Sequence, residues 1–255
     1  TGDIKLGASD IAPFSGLADQ ALGGAVDLTA SGTVRPISGA FDLNLDGTAT
    51  DLRIENEAAG NLLAGTTRIE GGVARGPEGL TARNLRLAND QFSMRADGTF
   101  ASGAANFRFD AALEDMALLA KNASGPLSAT GRAEGGEGRI NLTFKADAPR
   151  GSLSGRDLSE ATLGFDGQLE EQVLTGTIDG NAFLSGERVD LAGRLLLSPE
   201  QRQLTELAFR AGGATASGNI IQDVRKGLID GRIGIDAADV STAAALFLRE
   251  ATGSV

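Results

Sequence analysis

Apolar and polar residues alternate along much of the chain. Phe41-Asp42-Leu43-Asn44-Leu45-Asp46 is the clearest run. Phe107-Arg108-Phe109-Asp110 and Ile140-Asn141-Leu142-Thr143-Phe144-Lys145 repeat it. Leu163-Gly164-Phe165-Asp166, Val189-Asp190-Leu191 and Ile233-Gly234-Ile235-Asp236 keep the same period. A period of two sends successive side chains to opposite faces of a sheet, so one face is apolar and the other wet. That is the mark of antiparallel strands; parallel strands buried on both faces read as unbroken apolar runs. The spacing predicts an all-β fold of roughly 18 to 22 short strands, on the order of 95 Å long if they stack side by side. Asp46-Gly47, Asp97-Gly98, Asp166-Gly167, Asp179-Gly180 and Asp230-Gly231 read as turn pairs, because Gly supplies the positive φ of a tight hairpin. In Ile229-Asp230-Gly231-Arg232-Ile233 the Gly continues an apparent strand, which fits a bulge or bend better.

Helical signals are confined to three places. Ile11–Leu22 has Pro13 near its start and Gly23-Gly24 after it. Glu114–Lys121 is followed by Asn122. Ser241–Glu250 opens on a capping Ser and ends before Gly253. The three recur in one context: Ser9-Asp10-Ile11, Glu114-Asp115-Met116 and Ala238-Asp239-Val240 precede them, and Gly24-Ala25-Val26, Gly125-Pro126-Leu127 and Gly253-Ser254-Val255 follow. A second echo joins Leu85-Arg86-Leu87 with Arg95-Ala96-Asp97-Gly98 to Leu207-Ala208-Phe209-Arg210 with Thr215-Ala216-Ser217-Gly218. The pattern divides the chain into units of about 100 to 125 residues. These are a tail at 1–9, a unit at 10–113, a second at 114–237 and the start of a third at 238–255. On this reading the sequence is a piece of a longer repeat protein.

Composition narrows the chemistry. Cys, His, Trp and Tyr are absent, and the 11 Phe are the only aromatics. Without His or Cys there is no zinc site of the usual kind, no imidazole base and no thiol nucleophile. The expectation is a protein that is not an enzyme and carries no cofactor. Gly accounts for 36 of 255 residues, roughly double the usual share of about 7%. The net charge of −11 argues against nucleic acid, whose phosphates call for a basic stripe. Asp42-x-Asn44-x-Asp46-Gly47 matches the first half of a calcium loop, but Arg53 stands where the loop needs a bidentate Glu. Gly135-Gly136-Glu137-Gly138 lacks the Lys-Ser/Thr of a phosphate loop and reads as a turn. The adjacent acids Glu170-Glu171 and Glu114-Asp115 read as solvated, because neighbours on a strand diverge.

The combination of acid, short apolar helix, Gly-apolar pair and many alternating strands resembles the periplasmic β-rich repeats of the TamB/AsmA-like family. Leu204–Arg210 leading to Ala216-Ser217-Gly218 carries most of the likeness, together with Ile235-Asp236-Ala237-Ala238-Asp239-Val240. The resemblance implies an elongated, V-shaped or taco-like antiparallel β groove with an apolar interior. It implies a bridge anchored in the inner membrane of a Gram-negative bacterium and lying in the periplasm. Its work would be phospholipid transport between inner and outer membranes, assembly of outer-membrane proteins, or both. The implied partners are phospholipid acyl chains and, through other parts of the parent chain, an outer-membrane barrel of the TamA type. The candidate groove lining is then Phe41, Leu43, Leu45, Phe107, Phe109, Ile140, Leu142, Phe144, Leu163, Phe165, Val189, Leu191, Ile233 and Ile235.

By itself the alternation favours the closed core of a β-sandwich or β-helix. The alternative function is therefore a β-rich extracellular passenger or adhesin module that binds through loops. A β-helical carbohydrate enzyme would have only acids, Lys and Arg to work with. In an open groove, a shortage of bulky aromatics suits a narrow, extended cross-section, and unpaired edge strands predict end-to-end self-association.

Overall fold

The computed structural model describes residues 2–15, 21–35, 37–53, 57–77 and 79–237. Sixteen strands form a single antiparallel sheet. They are β1 (Gly2–Ala8), β2 (Gly23–Arg35), β3 (Ala40–Arg53), β4 (Thr66–Gly76), β5 (Gly79–Ala88), β6 (Phe92–Ala101), β7 (Ala104–Leu113), β8 (Ala123–Ser124), β9 (Leu127–Gly136), β10 (Arg139–Leu153), β11 (Arg156–Glu170), β12 (Val173–Leu184), β13 (Glu187–Leu197), β14 (Gln201–Ala211), β15 (Ala214–Asp223) and β16 (Ile229–Ala237). Each strand pairs with its neighbours in sequence, except that β7 pairs with β9 and the two-residue β8 pairs with β10. β1 and β16 do not meet, so the sheet is open and forms an elongated groove. Stacked at ~4.8 Å, the strands span about 70 Å. The β7–β9 pairing carries the sheet unbroken across the boundary expected at 113–114.

Among the described residues the strands are fewer and longer than expected, for a local reason. Every Asp-Gly pair read as a turn lies inside a strand: Asp46-Gly47 in β3, Asp97-Gly98 in β6, Asp166-Gly167 in β11, Asp179-Gly180 in β12 and Asp230-Gly231 in β16. The turns sit at other pairs. Glu137-Gly138, Ser154-Gly155, Glu171-Gln172, Ser185-Gly186 and Gly212-Gly213 each link two strands, with both residues at positive φ. That is the conformation whose twist matches the flanking strands.

Bulges interrupt this regularity. Asp51 in β3, Asn84 in β5, Glu160 in β11 and Glu206 in β14 have positive φ, and the register shifts beside each. An extra residue bends its strand and strengthens the local twist, which lets so wide a sheet coil. Two of the bulges are built alike. The Asn84 N–H donates to Asp97 Oδ2 at 3.0 Å, and the Glu206 N–H donates to Asn219 Oδ1 at 3.1 Å. In both, the accepting side chain lies opposite the bulge on the next strand. Aligned on the bulges, Leu85 matches Leu207, as the sequence echo expects. Ala96, not Gly98, then matches Gly218.

Among the described residues helix is scarcer than the sequence suggested. Ile11–Leu22 supplies a 3-10 turn, η1 (Ala12–Phe14), and residues 16–20 lie outside the described residues. Glu114–Lys121 supplies η2 (Met116–Leu118), whose cap is Asp115: its carboxylate accepts from Ala117 N–H and Gly125 N–H, both at 2.9 Å. The helix expected at Ser241–Glu250 falls outside the described residues. A short helix not expected from the sequence, α1 (Glu57–Leu62), joins β3 to β4. Among the described residues no helix is long and apolar enough to cross a membrane.

Candidate functional site

Directly paired residues in antiparallel strands point to the same side, so the register traces each face across the sheet. One row runs Leu43, Val73, Ala82, Gly98, Phe107, Ala133, Leu142, Gly167, Gly176, Leu195, Leu204, Ile220. A second runs Leu28, Gly47, Ile69, Leu87, Met94, Ala111, Ala129, Ala146, Leu163, Gly180, Leu191, Phe209, Ala216, Ile235. Neither row contains a polar side chain. Between them Leu85, Ala96, Phe109, Gly131, Phe144, Phe165 and Ile178 form a third, bounded by the bulges. All the lining residues expected from the sequence lie on this face.

The apolar face is only partly covered. Ile140 is fully buried at 2% exposure, in a small cluster with Ala105 and Ala133. Phe41, Leu43, Leu45, Phe107, Phe109, Leu142, Phe144, Phe165, Val189 and Leu191 are half-buried. Leu163, Ile233 and Ile235 are exposed, the last at 58%. The whole chain exposes 15691 Å², against about 10,500 Å² for a compact globular chain of this size. Among the described residues no second layer closes over this apolar surface.

Glycine shapes the floor of the face. A Cβ on Gly131 would run into the ring of Phe109, and one on Gly176 would stand 2.7 Å from Phe165 Cζ. The absent side chains leave room for the rings to lie flat across neighbouring strands.

A trough of about 480 Å³ lies on this face over β10 to β14. Phe144, Ala146, Leu158, Leu163, Val189, Leu191 and Phe209 line it. Met116 of η2 and Leu153 line it toward the end of the strands where β10 turns into β11. The sequence singled out Phe144, Leu163, Val189 and Leu191 but missed Leu158, Phe209 and Met116. It also missed the many Ala and Gly members of the rows, which carry little apolar signal.

The opposite face is charged. Asp42 and Asp46, from the calcium-like stretch, accept from Arg83 two strands away and, at 2.6 Å, from Arg68 on the next strand. Arg139 bonds Glu170 at 3.0 Å and Arg194 bonds Glu206 at 2.8 Å. A trough of about 570 Å³ on this side mixes Arg86 and Arg95 with Asp110, Ser93, Ser128 and Thr130. Arg188 donates to Asp190 at 2.8 and 3.0 Å. That hydrogen bond holds the Asp190 carboxyl below the usual carboxylate range and raises Arg188. A lowered carboxyl favours the fold above its unfolded-state pKa, and the benefit is lost as pH falls through the folded value. At this exposure the effect is small. Among the described residues no cluster of Asp or Glu is placed to hold a metal ion. Comparison with protein-family models, curated proteins and solved structures finds no match.

Proposed function

We propose that this chain is a non-catalytic, bridge-like segment of the TamB/AsmA kind, whose open sheet face offers acyl chains a continuous apolar track. In this reading it works in the periplasm of a Gram-negative cell, carrying phospholipid between the two membranes or lending an apolar β surface to outer-membrane protein assembly. The observation that carries the reading is the pair of apolar rows crossing from strand to strand without a polar side chain. A hydrocarbon chain has no polar atom to match, so its best host is a lining with no unpaired donor or acceptor. Each CH₂ taken from water is worth roughly 0.8 kcal/mol. Because the rows run across the strands, their direction is the long axis of the sheet. A chain moving along them exchanges one aliphatic neighbour for another. The passenger or adhesin alternative calls for a closed core, which an open sheet lacks.

The test is photo-crosslinking in lipid-containing cells, with a photoreactive residue at Leu43, Leu142 or Phe165 and, on the opposite face, at Asp42, Asn141 or Asp166. Lipid adducts are expected at the first set only. Equal labelling of both sets overturns the reading.

A further inference from the structure

Strand β16 ends the sheet on one side, and among the described residues nothing pairs with its outer edge. Its inner edge is matched to β15 from Ile229 to Ala237. The outer row of N–H and C=O groups is a template for a further strand. Side chains along this edge are exposed as well. On the apolar face Ile233 and Ile235 are 49% and 58% exposed. On the charged face Arg232 lies opposite Asn219, and Asp236 lies opposite Thr215, so β15 offers neither a charge. Elsewhere on that face Arg139 faces Glu170 and Arg108 faces Asp97 directly, with ion pairs at 3.0 and 3.5 Å. Among the described residues Arg232 and Asp236 have no such partner.

Strand count decides how a second copy can add to this edge. Fifteen strands lie on the antiparallel path from β1 to β16, so the two edge strands run the same way. A copy added head to tail by translation would set its β1 parallel to β16, the less stable pairing. Turning that copy over restores the antiparallel sense but puts its apolar face on the other side. A two-fold axis through the sheet at the β16 edge avoids both. It pairs β16 with β16 antiparallel and keeps the two apolar faces on one side. Such a contact is isologous and closes at two copies. Directly paired residues share a face, so the axis falls on a residue, and charge selects which one. Centred on Ile233, the pairing sets Asp230 against Asp236. Centred on Arg232, it sets that arginine against itself. Centred on Gly231, it sets Asp230 against Arg232 but matches only residues 229–233. Centred on Gly234, it matches residues 231–237 and sets Arg232 against Asp236 twice and Ile233 against Ile235 twice.

We propose that this chain forms a two-fold dimer by antiparallel pairing of β16 with β16 of a second copy, centred on Gly234. The apolar face then runs on from one copy into the next, whatever that face binds. Position 234 has room at the axis: a Cβ there would meet nothing nearer than 3.8 Å.

The experiment is sedimentation velocity on the 255-residue chain and its variants, from micromolar to millimolar protein, as suits a small interface. Circular dichroism confirms the fold of each variant. The wild-type chain is expected to pass from monomer to dimer and to stop there. Arg232→Glu and Asp236→Arg each turn both ion pairs into like-charge pairs, and each should weaken the dimer about tenfold or more. Mixing the two variants should restore it, because each then supplies the charges that the other needs. The double variant Arg232→Glu/Asp236→Arg should dimerise like the wild type. The chain has no Cys, so Gly234→Cys places a single thiol on the axis, where directly paired Cα atoms are close enough for a disulfide. Mild oxidation should give a covalent dimer. A wild-type chain that stays monomeric throughout overturns the proposal, and that result needs no variant to fold. Growth past the dimer overturns it too, since head-to-tail addition does not close. So does a dimer that Asp236→Arg leaves unweakened or that Gly234→Cys does not crosslink.

Discussion

Side chains on the two faces of this sheet follow different rules. On the charged face, ion pairs such as Arg139–Glu170 are exposed on both sides and contribute little each. On the apolar face a single methyl group matters. Gly131→Val would put a branched side chain where the Phe109 ring lies. Over-packing of this kind costs about 1–3 kcal/mol, so the thermal midpoint should fall by several degrees. Pairing Gly131→Val with Phe109→Ala should recover part of the loss, because the second change removes the ring that the first displaces. A midpoint unchanged by Gly131→Val alone would show that the ring has room to move. Phe41, Phe107, Phe109, Phe144 and Phe165 were legible in the sequence, since each sits in a clean alternating run. Their glycine partners were not. Gly131 and Gly176 carry no apolar signal, and only the register brings an aromatic ring against them.

At the scale of the element, the devices that bend the sheet are the bulges, and two of them share a construction. Asp97 and Asn219 each accept from the N–H of the bulged residue opposite, Asn84 and Glu206. Removing one acceptor leaves an N–H to water in an exposed setting, a loss of about 0.5–1.5 kcal/mol. Asp97→Ala should therefore speed amide exchange at Asn84 with little change at Glu206, and Asn219→Ala should do the converse. Exchange rates that do not respond would mean that the bulges are held by the strands alone. The alternation of β3, β7, β10, β11, β13 and β16 was readable residue by residue. The strand ends were not. Asp-Gly has the right chemistry for a hairpin, but here its Gly falls where the next strand approaches too closely for a Cβ: one on Gly47 or Gly231 would meet main-chain oxygen. The helix expected at Glu114–Lys121 is cut short for a related reason. Asp115 marks a true start, yet no long amphipathic face follows it, so tertiary packing stabilises only the turn η2.

For the molecule as a whole, the open sheet sets how the protein should look in solution. A compact chain of 255 residues has a radius of gyration of about 18 Å. A sheet about 70 Å long with one uncovered apolar face should exceed that and should bind a hydrophobic dye. A particle at the compact value that leaves the dye dark would contradict the fold described above. Alternation foretold both the all-β class and which side chains share a face. Whether that face closes on itself could not be read from period two, because a sandwich core and an open groove have the same local pattern.

The tight turns have a consequence for how such a protein grows. A two-residue hairpin such as Ser185-Gly186 returns the chain in register. Duplicating one hairpin therefore adds two strands without moving any existing side chain to the other face. Each duplication would lengthen the sheet by about 10 Å. Unlike a barrel, whose strand number, tilt and shear must agree, an open sheet meets no closure condition. Its reach can be set by counting hairpins, and the distance between two membranes is a quantity that such counting can match.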